Sequence, residues 1–123
     1  MTLPFFVLVA GLMGAAGVAL AAAAAHAAPG VGLDSAALIL MVHAAALVAA
    51  AAAVAAGLTF RPLALAALIG FVFGALLFSG DIALRAFVGN RLFPMAAPTG
   101  GSILILSWLA FSISAAVRMV RGG

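Results

Sequence analysis

Six polar side chains stand out in a chain that is 69% hydrophobic and only 6% charged: His26, His43, Ser79, Asp81, Arg85 and Thr99. Imidazole and carboxylate groups take up and pass on protons, and hydroxyls extend such a path. In lipid such groups are expensive, so they face a bundle interior, a water-filled cavity or one another. Asp81 stands in "LLFSGDIALRAF", four residues before Arg85, which is the favourable spacing for a helical ion pair.

Two arrangements fit these residues. In the first, Asp81 lies toward the end of its span, and the Asp81–Arg85 pair snorkels to the lipid headgroups. In the second, His26, His43, Ser79, Asp81 and Thr99 fall in the same leaflet of an antiparallel bundle and face inward as one polar cluster. His43 and Asp81 then share a proton, with Ser79 and Thr99 as hydroxyl partners. Such a group suits proton relay or a small polar ligand, and serves equally as interhelical glue worth about 1 kcal/mol per hydrogen bond. The opposite leaflet offers Thr59 and Arg61 at one end, then Ser107, Ser112 and Ser114. Serine bonds back to its own helix, so this is thin material for a conduit.

Two histidines on facing helices can also ligate haem or another tetrapyrrole. Ala22, four residues before His26, would leave room for a macrocycle, but in a polyalanine run every such spacing is alanine. His26 has no evident carboxylate to orient it. No cofactor or metal is therefore expected, with tetrapyrrole ligation by His26 or His43 as the alternative. The chain has no Cys and no Tyr, and it also lacks Lys and Glu. No nucleophile–base–orienter set can be assembled, and an enzyme is not expected.

The elements that must carry these residues are membrane helices. The mean hydropathy is +1.47, and a span takes about 20 apolar residues. Charges and Gly/Pro punctuation divide the chain into four spans, at about 3–27, 35–57, 62–87 and 102–120. The first stops at Pro29-Gly30. Asp34 is the expected N-cap of the second, and Pro62 opens the third, where its missing N–H costs nothing. "VGNRLFPMAAPTGG" reads as a loop before the fourth. The short connections at 28–34 and 58–61 make consecutive helices antiparallel neighbours. The fold class expected is all-α: a polytopic membrane protein, one antiparallel four-transmembrane-helix bundle filling residues 1–123 as a single membrane domain. "MTLPFFVLVAG" has no basic start, so the first span is expected to stay as a helix rather than serve as a signal peptide.

A net charge of +3 and a pI near 11.8 would suggest nucleic acid in a soluble protein. Here the arginines are scattered singly and read as topology markers, so nucleic acid is not an expected partner. Arg61, Arg118 and Arg121 fall on one side, Arg85 and Arg91 on the other, which puts both termini in the cytoplasm. Small residues supply the packing surfaces: Gly11, Gly14 and Gly17 on the first span, Gly70 and Gly74 in "GFVFG" on the third. They are expected to seal the bundle itself. Phe71, Phe73, Phe78, Phe87, Phe111 and Trp108 are then expected outside, toward lipid or a neighbour, with Trp108 too deep for an interfacial anchor.

"GLMGAAGVALAAAAAHA", "VHAAALV", "LLFSGDIALRAF" and "PMAAPTGGSILILSWL", in that order along nearly the whole chain, resemble the bacterial family catalogued as domain of unknown function 423. These are the YgdD-like small inner-membrane proteins, with a eukaryotic relative called transmembrane protein 256. The family usually has "GAFGAH" where this chain has plain alanine before His26, and the family tyrosine near the second histidine is missing. The resemblance implies a four-helix, multi-pass protein of the bacterial inner (plasma) membrane and supplies no activity. The function expected from the residues is a structural or accessory subunit of a larger membrane complex or homo-oligomer. Its partners would be the lipid bilayer and other membrane protein subunits, an energy-transducing complex among them. The alternative is a minimal transporter or proton-linked conduit using His26, His43 and Asp81.

Overall fold

The computed structural model describes residues 1–26 and 32–122. It is all-α: α1 (Thr2–His26), α2 (Leu33–Ala55), α3 (Arg61–Phe87) and α4 (Ala96–Gly122). Each helix is long and apolar enough to cross a membrane. The turn expected at Pro29-Gly30 lies outside the described residues.

The helix ends show how local chemistry sets the boundaries. α2 is entered through Gly32 at φ 83°, a left-handed position that suits glycine. Asp34 is therefore not the N-cap: it sits in the first turn and makes no capping hydrogen bond, though its charge still favours the positive end of the helix dipole. α2 leaves through Gly57 at φ 76°. Gly57 N donates to Val54 O at 3.1 Å and Leu58 N to Ala53 O at 3.0 Å, the paired bonds of a Schellman motif. α3 ends in a similar way, Gly89 N donating to Arg85 O at 3.1 Å.

α4 begins at Ala96, six residues before the expected Ser102. Pro98 falls in its first turn, where a missing N–H breaks no intrahelical bond. Gly100 and Gly101, read as loop residues, are helical. A Cβ on Gly100 would lie 2.6 Å from Phe78 N and 2.7 Å from Gly74 O. That glycine marks a close crossing of two backbones rather than a turn.

Each helix packs on its neighbour in sequence, α1 on α2, α2 on α3 and α3 on α4, with a slight α1–α3 contact. Glycines set the register. Gly14 faces Ala44 and Gly17 faces Met41 across α1–α2, while Gly70 faces Ser107 and Gly74 faces Leu104 across α3–α4. Rising numbers on one helix meet falling numbers on the next, so the pairs are antiparallel. Four of the five predicted packing glycines make such contacts; Gly11 is the exception, exposed with nothing near its Cβ position.

Among the described residues the α2 and α4 backbones do not approach closely. Aromatic rings fill the space between them. Phe71, expected outside, is fully buried, its ring centroid 4.7 Å from that of Trp108 and 5.7 Å from that of His43. Phe111 is partly buried against the same core, Phe78 is half-buried, and Phe73 and Phe87 are exposed as expected.

Candidate functional site

The antiparallel register gives the bundle two chemically different ends. Asp34, Asp81, Arg85 and Arg91 belong to the end where α3 leaves and α4 begins; Arg61, Arg118 and Arg121 belong to the other. Side-chain charge balances to zero at the first end, so the whole net charge of +3 stands at the second.

The six residues of the expected polar cluster do not converge. His43, 4% exposed, holds Ile39 O at 2.8 Å through Nδ1, and its Nε2 lies 3.0 Å from Trp108 Nε1. An indole N–H only donates, so Nε2 is the acceptor and the ring proton sits on Nδ1. Both ring nitrogens are thereby occupied, and the lone pair that could have met a metal or tetrapyrrole points at Trp108 instead. Trp108, expected outside toward lipid or a neighbour, is half-exposed but turns its N–H inward and bridges α4 to α2.

Ser79 Oγ donates to Ala36 O at 2.7 Å and ties α3 to α2. Asp81 is 2% exposed. Its Oδ1 accepts from Leu92 N at 3.0 Å and its Oδ2 lies 3.4 Å from an Arg85 terminal nitrogen. The expected i, i+4 pair forms, but only Arg85 reaches outward. The carboxylate does not snorkel: it faces inward and pins the loop between α3 and α4. His26 and Thr99 are exposed. No hydrogen bond joins His43 to Asp81 among the described residues, so the shared proton of the cluster has no direct path there. Ser107 and Ser114 bond back to Ile103 O and Phe111 O of their own helix, as serine does in apolar helices.

Sequence reasoning missed the contacts at the arginine end. Arg118 Nε donates to Gly57 O at 2.7 Å, Phe60 N donates to Ser114 O at 2.8 Å, and the Arg121 guanidinium lies 5.0 Å above the Phe60 ring, a cation–π distance. The signal was present: in an antiparallel bundle Arg61 at the start of α3 must stand level with Arg118 and Arg121 at the end of α4. It served there only as a count for orientation.

No group of three or more potential metal-ligating side chains occurs among the described residues. No curated protein and no solved structure matches the chain. The model of the family described as protein of unknown function (DUF423) matches residues 13–101, from the middle of α1 to the start of α4. This stretch contains the α1–α2 glycine contacts, the Gly100 crossing, the Ser79 tie and the Asp81-pinned loop, and the chain belongs to that family.

Proposed function

We propose that this chain is a non-catalytic membrane subunit, structural or accessory, that works within a larger membrane complex or as a homo-oligomer. The observation that carries this reading is the use made of the polar groups inside the bundle. Ser79 joins α3 to α2, the His43–Trp108 pair joins α2 to α4, and Asp81 holds the loop between α3 and α4. Each bond holds the fold, which is what buried polar groups do in a scaffold. A proton conduit would need His43 and Asp81 to serve one path, and their separate partners weigh against it.

The outer helices support the same reading. α1 and α4 each lean on one main neighbour, and both keep rows of exposed apolar residues, Leu8 and Leu12 on one, Leu106 and Leu109 on the other. The partners proposed are lipid and other membrane subunits, an energy-transducing complex among them. Neither a cofactor nor nucleic acid enters this role. The location proposed is the bacterial inner membrane. The three arginines at the end that holds both termini favour a cytoplasmic placement for that end.

The chain has no cysteine, so single-cysteine variants at Leu12 and Leu109 give clean cross-linking positions. In native membranes a thiol-reactive cross-linker should give a discrete adduct of larger mass from at least one of these faces. Failure of both positions to yield any adduct would contradict the subunit reading. Reconstituted wild-type protein should also leave a pH gradient across liposomes intact. Dissipation lost in Asp81→Asn would favour the conduit.

A further inference from the structure

Folding leaves one polar group unfinished at the arginine end. Thr59 is 7% exposed, and its Oγ1 is buried without a hydrogen-bond partner, the only such side-chain atom among the described residues. Buried hydroxyls without partners are uncommon because desolvation is then uncompensated. Thr59 lines a hollow of about 480 Å³ together with Gly57, Phe60, Arg61, Arg118 and Arg121. All three arginines are exposed at its rim. Both aspartates belong to the opposite end, so no carboxylate side chain stands here to pair with them.

The hollow is also held in shape. Arg118 Nε is fixed on Gly57 O, Arg121 is stacked over Phe60, and Phe60 N is tied to Ser114 O on α4. The first turn of α3, 27 residues long, brings the positive end of its dipole to the same place. Guanidinium groups match the oxygens of a phosphate in twos, and a phosphate oxygen is the acceptor that the Thr59 hydroxyl lacks.

We propose that this hollow binds the phosphate of an anionic phospholipid headgroup, with Arg61, Arg118 and Arg121 around its oxygens and Thr59 Oγ1 donating from the floor. At the end of a membrane helix, phospholipid is the phosphate-bearing molecule at hand. Leu58 and Met119, both exposed beside the arginines, offer apolar surface to its acyl chains.

The test is native mass spectrometry of the purified full chain in neutral detergent. The chain is titrated with phosphatidylglycerol, with phosphatidylcholine of the same acyl chains, and with inorganic phosphate. Phosphatidylglycerol should bind roughly tenfold more tightly than phosphatidylcholine, whose choline cation cancels the headgroup charge and is repelled by the three arginines. Thr59→Val should weaken phosphatidylglycerol binding severalfold, Thr59→Ser should keep it, and Arg61→Gln should weaken it. Arg91→Gln, an equal loss of charge at the other end, should leave it unchanged. Unchanged phosphatidylglycerol affinity in Thr59→Val, or equal losses in Arg61→Gln and Arg91→Gln, would mean that charge alone attracts lipid and would overturn the site. Inorganic phosphate binding as tightly as the lipid would overturn the lipid assignment.

Discussion

The two ends of the bundle treat their polar residues differently. At one end Asp81 is buried, accepts from Leu92 N and pairs with Arg85, and side-chain charge sums to zero. At the other, among the described residues, three arginines stand without an acidic side chain and Thr59 keeps a hydroxyl without a partner. The first end uses its polar groups to close a loop. The second leaves electrostatic and hydrogen-bonding capacity that the chain does not satisfy itself. Removing the polar group should therefore lower stability at Asp81 and raise it at Thr59.

The largest effect is expected near the start of α4. A methyl group on Gly100 would meet Phe78 N and Gly74 O, backbone atoms with little freedom to move. Gly100→Ala should cost about 3 kcal/mol, the upper range for overpacking, measured by unfolding in mixed detergent micelles. Next is Asp81→Ala, which leaves Leu92 N without its acceptor and Arg85 without its partner. It should cost about 2 kcal/mol, with Asp81→Asn costing less because an amide oxygen can still accept from Leu92 N. If Asp81→Ala were neutral in the same assay, the contrast between the ends would collapse.

The sign should reverse at the other end. Thr59→Val removes a buried hydroxyl that has no partner, so in lipid-free micelles it should raise stability by about 1 kcal/mol. A loss of that size would mean that the hydroxyl has a partner within the protein and that the arginine end is as complete as the other. The smallest effect is expected between the ends. Trp108→Phe keeps a ring against Phe71 but removes the donor to His43, a bond worth about 0.6 kcal/mol in a membrane interior. Tertiary amide exchange on α2 around Ile39 and His43 should report that loss more sensitively than global unfolding does.

The four helices were legible in the sequence from hydropathy and Gly/Pro punctuation, the start of α4 excepted. The Asp81–Arg85 pair was legible from its spacing, and the packing role of Gly70 and Gly74, though not their partner helix, from the small residues. Which way each side chain faces was not legible. In a soluble helix the buried face is the apolar one, but in lipid both faces are apolar and the pattern loses its contrast. Phe71 and Phe73 look alike in sequence, yet one is in the core and the other is exposed. The same ambiguity led five polar residues to be grouped by depth, while rotation about each helix axis sends His26 and Thr99 outward and gives His43 to Trp108. Gly100 was misread for a related reason: glycine signals both a turn and a close helix crossing, and only the partner helix distinguishes them.

The most direct test of the subunit role is the intact mass of the assembly after mild detergent extraction from native membranes. A discrete complex heavier than one 12.0 kDa chain, retained through purification in stoichiometric amount, is the predicted result. A single chain with only lipid attached, under conditions that keep other membrane complexes whole, would contradict it.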